Sequence, residues 1–164
     1  MSPKAPTEVA SAQSDCVEPI GPVLFAYDGS DLAGFAIREA GRQLATGRDA
    51  LVLCVWQPVD VGFVPVSERH FDADQAAEVR KAADETAEHG ASLACRAGFR
   101  AQGTAVQAAP TWKGIVEVAE EHRASLIVLG SHRHGGLVGH FHGNVAAAVI
   151  AHGSFSVLVV HPRP

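Results

Sequence analysis

The chain alternates between short apolar runs and stretches in which apolar residues recur every three or four positions. Val23-Leu-Phe-Ala-Tyr27 is a buried strand by this pattern, ended by the turn-forming Asp28-Gly29-Ser30. Residues 31–46 follow with Leu32, Phe35, Ala36, Ile37, Ala40 and Leu44 at helical spacing. Leu51-Val-Leu-Cys-Val-Trp56 is a second continuous apolar strand. Residues 57–71 carry two prolines and a glycine and read as a long loop. Residues 73–96, rich in Ala, Glu, Asp and Lys, predict a solvated helix with an alanine-lined inner face. Residues 99–107 alternate well enough for an edge strand, and Pro110-Thr111 opens a helix over residues 112–122. Leu126-Ile-Val-Leu129 is a fourth strand, residues 144–151 a helix of small residues, and residues 155–160 a last strand.

This β-α-β-α-β-α-β-α-β order predicts an open parallel sheet with helices on both faces, a Rossmann-like α/β fold, because each crossover is right-handed. Ligands of such sheets sit beyond the carboxyl ends of the strands, where the strand order reverses. Two segments with suitable chemistry fall at strand carboxyl ends: Asp28-Gly29-Ser30 and the passage from Gly130 to Asn144, GSHRHGGLVGHFHGN.

Composition narrows the reading. The length of 164 residues suits one domain, and 47% hydrophobic residues with 6% aromatics suits an aliphatic sheet core. Residues 1–20 are expected to be a disordered leader and residues 21–164 the domain. The leader lacks the apolar region of a signal peptide, and no run of 18 apolar residues occurs, so neither export nor membrane spanning is expected. Three widely spaced cysteines, Cys16, Cys54 and Cys95, fit a reducing compartment, and a cytoplasmic protein is expected. Cys54 reads as a small hydrophobe within its strand.

The charge is uneven. No Asp or Glu follows Glu121, while residues 122–164 hold three arginines and seven of the nine histidines. Those three positive charges leave −8 on the first 121 residues out of a net −5. A carboxylate-free segment containing a glycine-rich loop favours an anion, but it is too weakly and locally basic for nucleic acid. Backbone N–H groups of such a loop, with the positive end of the next helix, suit a phosphate chain. Gly130 stands where a side chain would crowd a ligand, and Asn144 suits the N-cap of the following helix. No Walker sequence and no dinucleotide fingerprint is present. The pairs His132/His134 and His140/His142 number enough for a metal, but they lack a nearby carboxylate or thiolate, so no metal site is expected. Ser30 reads as a helix cap rather than a nucleophile, and no catalytic residue stands out.

The sequence resembles the universal stress protein family over roughly residues 21–162. The likeness rests on Ala26-Tyr-Asp-Gly-Ser30, on Leu53-Cys-Val-Trp-Gln-Pro58, and on Leu126-Ile-Val-Leu-Gly-Ser-His132 with Gly143 and Val157-Leu-Val-Val-His-Pro162. The resemblance implies a five-stranded sheet in the order 3-2-1-4-5, and a homodimer through the C-terminal strand. It further implies a stress-response regulator that binds an adenine nucleotide, ATP above all, with Mg²⁺ entering only alongside it, and a protein partner that is unknown. ATP-binding members carry G-x2-G-x9-G-[S/T]. Here the first glycine is Gly130 and the last Gly143, whereas the middle position is Arg133 and the hydroxyl position Asn144. By position, Asp28 lies on the ribose side, Val55 beside adenine, Leu129 in the cleft wall, and Val145 at the helix start below the phosphates, with Ala26 a further nucleotide-binding position. Arg133 either bars the phosphates or pairs with them. In the first case the chain is a nucleotide-free dimeric interaction module of the same fold. Histidines beside the phosphates strengthen anion binding as pH falls towards about 6.5.

Overall fold

Strand β1 (Val23–Ala26) lies at the centre of the molecule, three of its four residues fully enclosed. Helix α1 (Asp31–Gln43), strand β2 (Asp49–Trp56) and helix α2 (Ala73–Arg96) follow, then β3 (Arg100–Gln107), α3 (Thr111–Glu121), β4 (Leu126–Gly130), α4 (Val145–His152) and β5 (Val157–Val160). The computed structural model describes residues 20–57, 73–130 and 145–162. The expected leader up to residue 19, most of the loop after β2 and the loop between β4 and α4 lie outside the described residues. Among the described helices none is long and apolar enough to cross a membrane.

All strand pairs are parallel, and the sheet order is β3-β2-β1-β4-β5. The chain winds outward from β1 through β2 to β3, then crosses back to β4 on the other side. The reversal therefore falls between β1 and β4, as the family resemblance implies.

Side chains alternate between the two faces along every strand. Val23, Phe25, Tyr27, Val52, Val128 and Val160 point to the face covered by α1 and α2. Leu24, Leu51, Leu53, Ile127 and Leu129 point to the other, covered by α3 and α4. The alanine stripe predicted for α2 is present as Ala83, Ala87, Ala91 and Ala94, all buried. It lets the helix come very close to the sheet. A methyl group added at Gly103 of β3 would lie 2.7 Å from the backbone carbon of Ala87.

The element boundaries differ from the sequence reading by one to three residues. Helix α1 ends at Gln43 instead of residue 46, because Leu44 is already extended (φ −101°, ψ 156°) while its N–H still bonds to the Ala40 carbonyl. Gly47, at φ +76°, then turns the chain into β2, which begins at Asp49 where Arg100 of β3 meets it. The last strand starts at Val157 instead of residue 155, since its pairing with β4 begins at Ile127 opposite Val157.

Candidate functional site

The carboxyl end of β1 forms the first part of the site. Beyond Ala26 the Tyr27 N–H donates to the Leu53 carbonyl at 2.9 Å, which extends the ladder with β2 by one bond. The chain then turns. The exposed Asp28 carboxylate accepts from the Ser30 N–H at 3.0 Å, and Gly29 takes φ +82°, a conformation that favours glycine. Ser30 caps α1, its hydroxyl accepting from the Ala33 N–H at 3.2 Å. Its hydroxyl is thus used as a cap, as the sequence suggested.

Four of the other sequence-predicted residues come together on the α3/α4 face. Ala26, Val55 and Val145 are half-buried and pack against the same apolar cluster to which buried Leu129 belongs. The register explains the convergence. Ala26 pairs with Leu53, so Asp28, two residues on, is level with Val55. Phe25 pairs with Val128, so Tyr27 is level with Gly130. These residues of β1, β2, β4 and α4 thus contribute to one apolar patch on that face, and the exposed Asp28 follows at the carboxyl end of β1.

Helix α3 closes this patch from one side. A methyl group at Gly114 would lie 2.6 Å from the Ala108 side chain and 3.3 Å from Val55, so the helix start is seated tightly on the Val55 side chain. Gln57 donates from Nε2 to Thr111 Oγ1 at 3.0 Å and ties the end of β2 to the same helix. Thr111 serves in that bond and not as a cap. The N-cap residue is Pro110, which has no side-chain bond to the helix.

Gly130 has a packing reason of its own. A Cβ there would lie 2.9 Å from Leu32 Cγ and 3.1 Å from the Leu32 carbonyl oxygen. Packing against the first turn of α1 thus favours glycine here by itself, whatever else the position does.

The electrostatics differ between helix starts. Asp28 precedes α1 and Asp31 lies in its first turn, which complements the helix dipole and disfavours an anion there. Neither α3 nor α4 has an acidic residue in its first turn. An anion is therefore better accommodated on the α3/α4 side. Arg133, Gly143, Asn144 and the His132/His134 and His140/His142 pairs lie outside the described residues.

Two features were not legible in the sequence. The Tyr27 hydroxyl lies 2.9 Å from His89 Nδ1 of α2, a contact across 62 residues that no local pattern announces. Burial, followed by the nearby Asp28 charge, pushes the Tyr27 phenol above its ordinary value, so it stays protonated. Trp112 stacks on His152, with ring centres 4.3 Å apart and planes 19° from parallel, joining the start of α3 to the end of α4.

A parallel sheet in the order β3-β2-β1-β4-β5, doubly wound by four helices, places the molecule among the open-sheet α/β proteins. Comparison narrows this further: the Universal stress protein family pattern matches residues 19–161, and the chain belongs to that family. None of the curated proteins compared with the chain matches it. Among solved structures, hypothetical protein MJ0577 is 22% identical with a TM-score of 0.67, covering 88% of this chain and 97% of its own. A universal stress protein solved in complex with cAMP is 24% identical with a TM-score of 0.61, covering 87% and 97%. A universal stress protein family protein from Arabidopsis thaliana with AMP bound is 16% identical with a TM-score of 0.61, covering 88% and 93%. At these identities the three share the fold of this chain.

Proposed function

We propose that this protein is a stress-response regulator that binds an adenine nucleotide, ATP in particular, at the switch point of its sheet. The observation that carries the reading is that Ala26, Val55, Leu129 and Val145 share one apolar cluster on the α3/α4 face, while the exposed Asp28 stands at the carboxyl end of the central strand. A flat, apolar base suits such a patch, and a carboxylate at the strand end suits ribose hydroxyls as hydrogen-bond donors. The solved relatives with cAMP and AMP hold ligands of the same chemical class. The phosphates would run towards the β4–α4 loop, where the sequence offers Gly130, Arg133, Gly143 and Asn144 and no carboxylate. Mg²⁺ would accompany the phosphates and needs no protein ligand of its own. No catalytic residue stands out in the sequence, and the nucleotide is read as a signal rather than as a substrate for rapid turnover.

The assembly belongs to the same reading. Strand β5 is a sheet edge with the sequence Val-Leu-Val-Val, and Val157, Leu158 and Val159 are only half-buried. An apolar edge strand of this kind pairs with another copy, giving a homodimer. The setting proposed for it is the cytoplasm.

The test is calorimetric titration of the full chain with ATP, AMP and adenosine, alongside mass spectrometry of nucleotide retained through gentle purification. A ligand at a hundred times its dissociation constant stabilises the fold by about 2.7 kcal/mol, a readily measured melting shift. Asp28→Ala should weaken binding of all three ligands, since all carry ribose. If millimolar ATP gives neither heat nor a melting shift, the nucleotide reading is wrong. The same fold then serves as an interaction module with Arg133 filling the phosphate space.

A further inference from the structure

The strand end that carries Asp28 is held from the opposite side of the sheet. Ala26 packs on the α3/α4 face, while its neighbour Tyr27 points to the α1/α2 face and is 4% exposed. The Tyr27 ring fits beneath Gly90 of α2, where an added methyl group would lie 2.6 Å from Tyr27 Cδ1. Phenylalanine would fill that apolar space equally well, so packing does not account for the hydroxyl. The hydroxyl instead meets His89 Nδ1 at 2.9 Å. The phenol can donate to Nδ1 or accept from it, according to the imidazole tautomer.

We propose that Tyr27 is a positioning residue for the nucleotide site, its hydroxyl bond to His89 fixing the strand end from which Asp28 projects. The inference rests on the adenine-nucleotide reading above. Its mechanical basis is the short distance along the chain. Tyr27 has two fixed points, its N–H on the Leu53 carbonyl and its hydroxyl on His89, and Asp28 is the next residue. Past Asp28 the chain enters the turn at Gly29, with φ +82°, and there the carboxylate accepts from the Ser30 N–H at 3.0 Å. Helix α2 thereby acts on the strand end through Tyr27.

The experiment compares the full chain with Tyr27→Phe, His89→Leu and His89→Gln, each in wild-type and Asp28→Ala backgrounds. AMP affinity is read by calorimetry, and amide hydrogen exchange of residues 26–30 is read without ligand. Losing one hydrogen bond of this kind should weaken AMP binding by about two- to tenfold in Tyr27→Phe and His89→Leu. It should also speed exchange of the Asp28 and Gly29 amides. His89→Gln, whose amide oxygen accepts from the phenol, should recover part of the affinity. In the Asp28→Ala background, Tyr27→Phe should change AMP affinity less than twofold, because the group being positioned is gone. An equal loss in both backgrounds, or exchange and affinity unchanged in Tyr27→Phe, overturns the proposal. Absence of AMP binding by the wild-type chain overturns the nucleotide reading instead, and the exchange data alone then decide whether the clamp holds the turn.

Discussion

Two helical glycines offer a controlled test of how closely α2 approaches the sheet. Replacing either Gly34 in α1 or Gly90 in α2 by alanine brings the same gain of about 1 kcal/mol in helix propensity. The space around the new methyl group differs. At Gly34 its nearest neighbours are Arg38 Nη1 at 3.4 Å and Leu93 Cδ1 at 3.6 Å, both ends of flexible side chains at ordinary contact distance. At Gly90 it would meet Tyr27 Cδ1 and Val52 Cγ1, each at 2.6 Å, and Tyr27 Cγ at 3.0 Å. Carbon atoms prefer about 3.5–4.0 Å, so α2 would have to lift by about 1 Å. Tyr27 and Val52 are 4% and 0% exposed and have no room to withdraw. Overpacking of this kind costs about 1–3 kcal/mol, enough to exceed the propensity gain. Gly34→Ala should therefore stabilise the fold by about 0.5–1 kcal/mol, and Gly90→Ala should destabilise it by about 1 kcal/mol. For a chain of this length the two melting temperatures should differ by roughly 4–8 °C. Urea unfolding with a common m-value measures the difference directly. If both substitutions stabilise, α2 does not sit as close to Tyr27 as described.

Ser30→Ala should lower stability by about 1 kcal/mol through loss of the α1 cap, with Ser30→Asp retaining most of it; equal stability of all three proteins in urea would contradict the cap. The Asp49 carboxyl is held below its ordinary value by the hydrogen bond from Arg100 Nε, 2.7 Å away. A depressed carboxyl contributes stability above its unfolded pKa and loses it as pH falls through the folded value. The stability gap between wild type and Asp49→Asn should therefore shrink on acidification; the pair is exposed, so the gap is small, and a gap that widens towards low pH would refute the sign. Burial, aided by the Asp28 and Asp84 charges, raises the Cys54 thiol above its ordinary value, whereas Cys95 is exposed. Iodoacetamide at neutral pH should label Cys95 first and leave Cys54 intact until unfolding, as read by peptide mass spectrometry.

Much of this fold was legible because its signals are local and periodic. Runs such as Leu51–Trp56 leave few alternatives to a buried strand, and the alanine stripe of α2 declares its inner face. The strand order came from a resemblance carried by whole motifs, since no spacing within one element reveals which strands are neighbours. Boundaries were less secure where hydrogen bonds and packing compete. Leu44 continues the helical spacing of α1, yet it is extended while its N–H still closes the last helical bond. The contacts between distant elements were invisible for a different reason. Tyr27 with His89, Trp112 with His152 and Gly130 with Leu32 each join residues from separate elements, and only the assembled sheet places them together.

The Gly130–Leu32 contact changes how the nucleotide motif should be weighed. A glycine at the end of β4 satisfies the family's phosphate-binding pattern, but here the first turn of α1 favours it whether or not a ligand is bound. Val55 also has a packing role, since Gly114 seats α3 directly upon it. Both positions therefore carry a packing reason beside any functional one. Asp28 is different. It is exposed, and its described hydrogen bond, from the Ser30 N–H, is a turn contact that asparagine or serine makes equally well. That bond does not need a negative charge; the charge complements the α1 dipole, and it stands at the carboxyl end of β1, where a ligand of such a sheet is expected. A residue whose chemistry exceeds what its turn contact demands points to function more strongly than one that merely matches a motif. On that ground the nucleotide reading rests on Asp28 and the apolar patch of the α3/α4 face more than on the glycines.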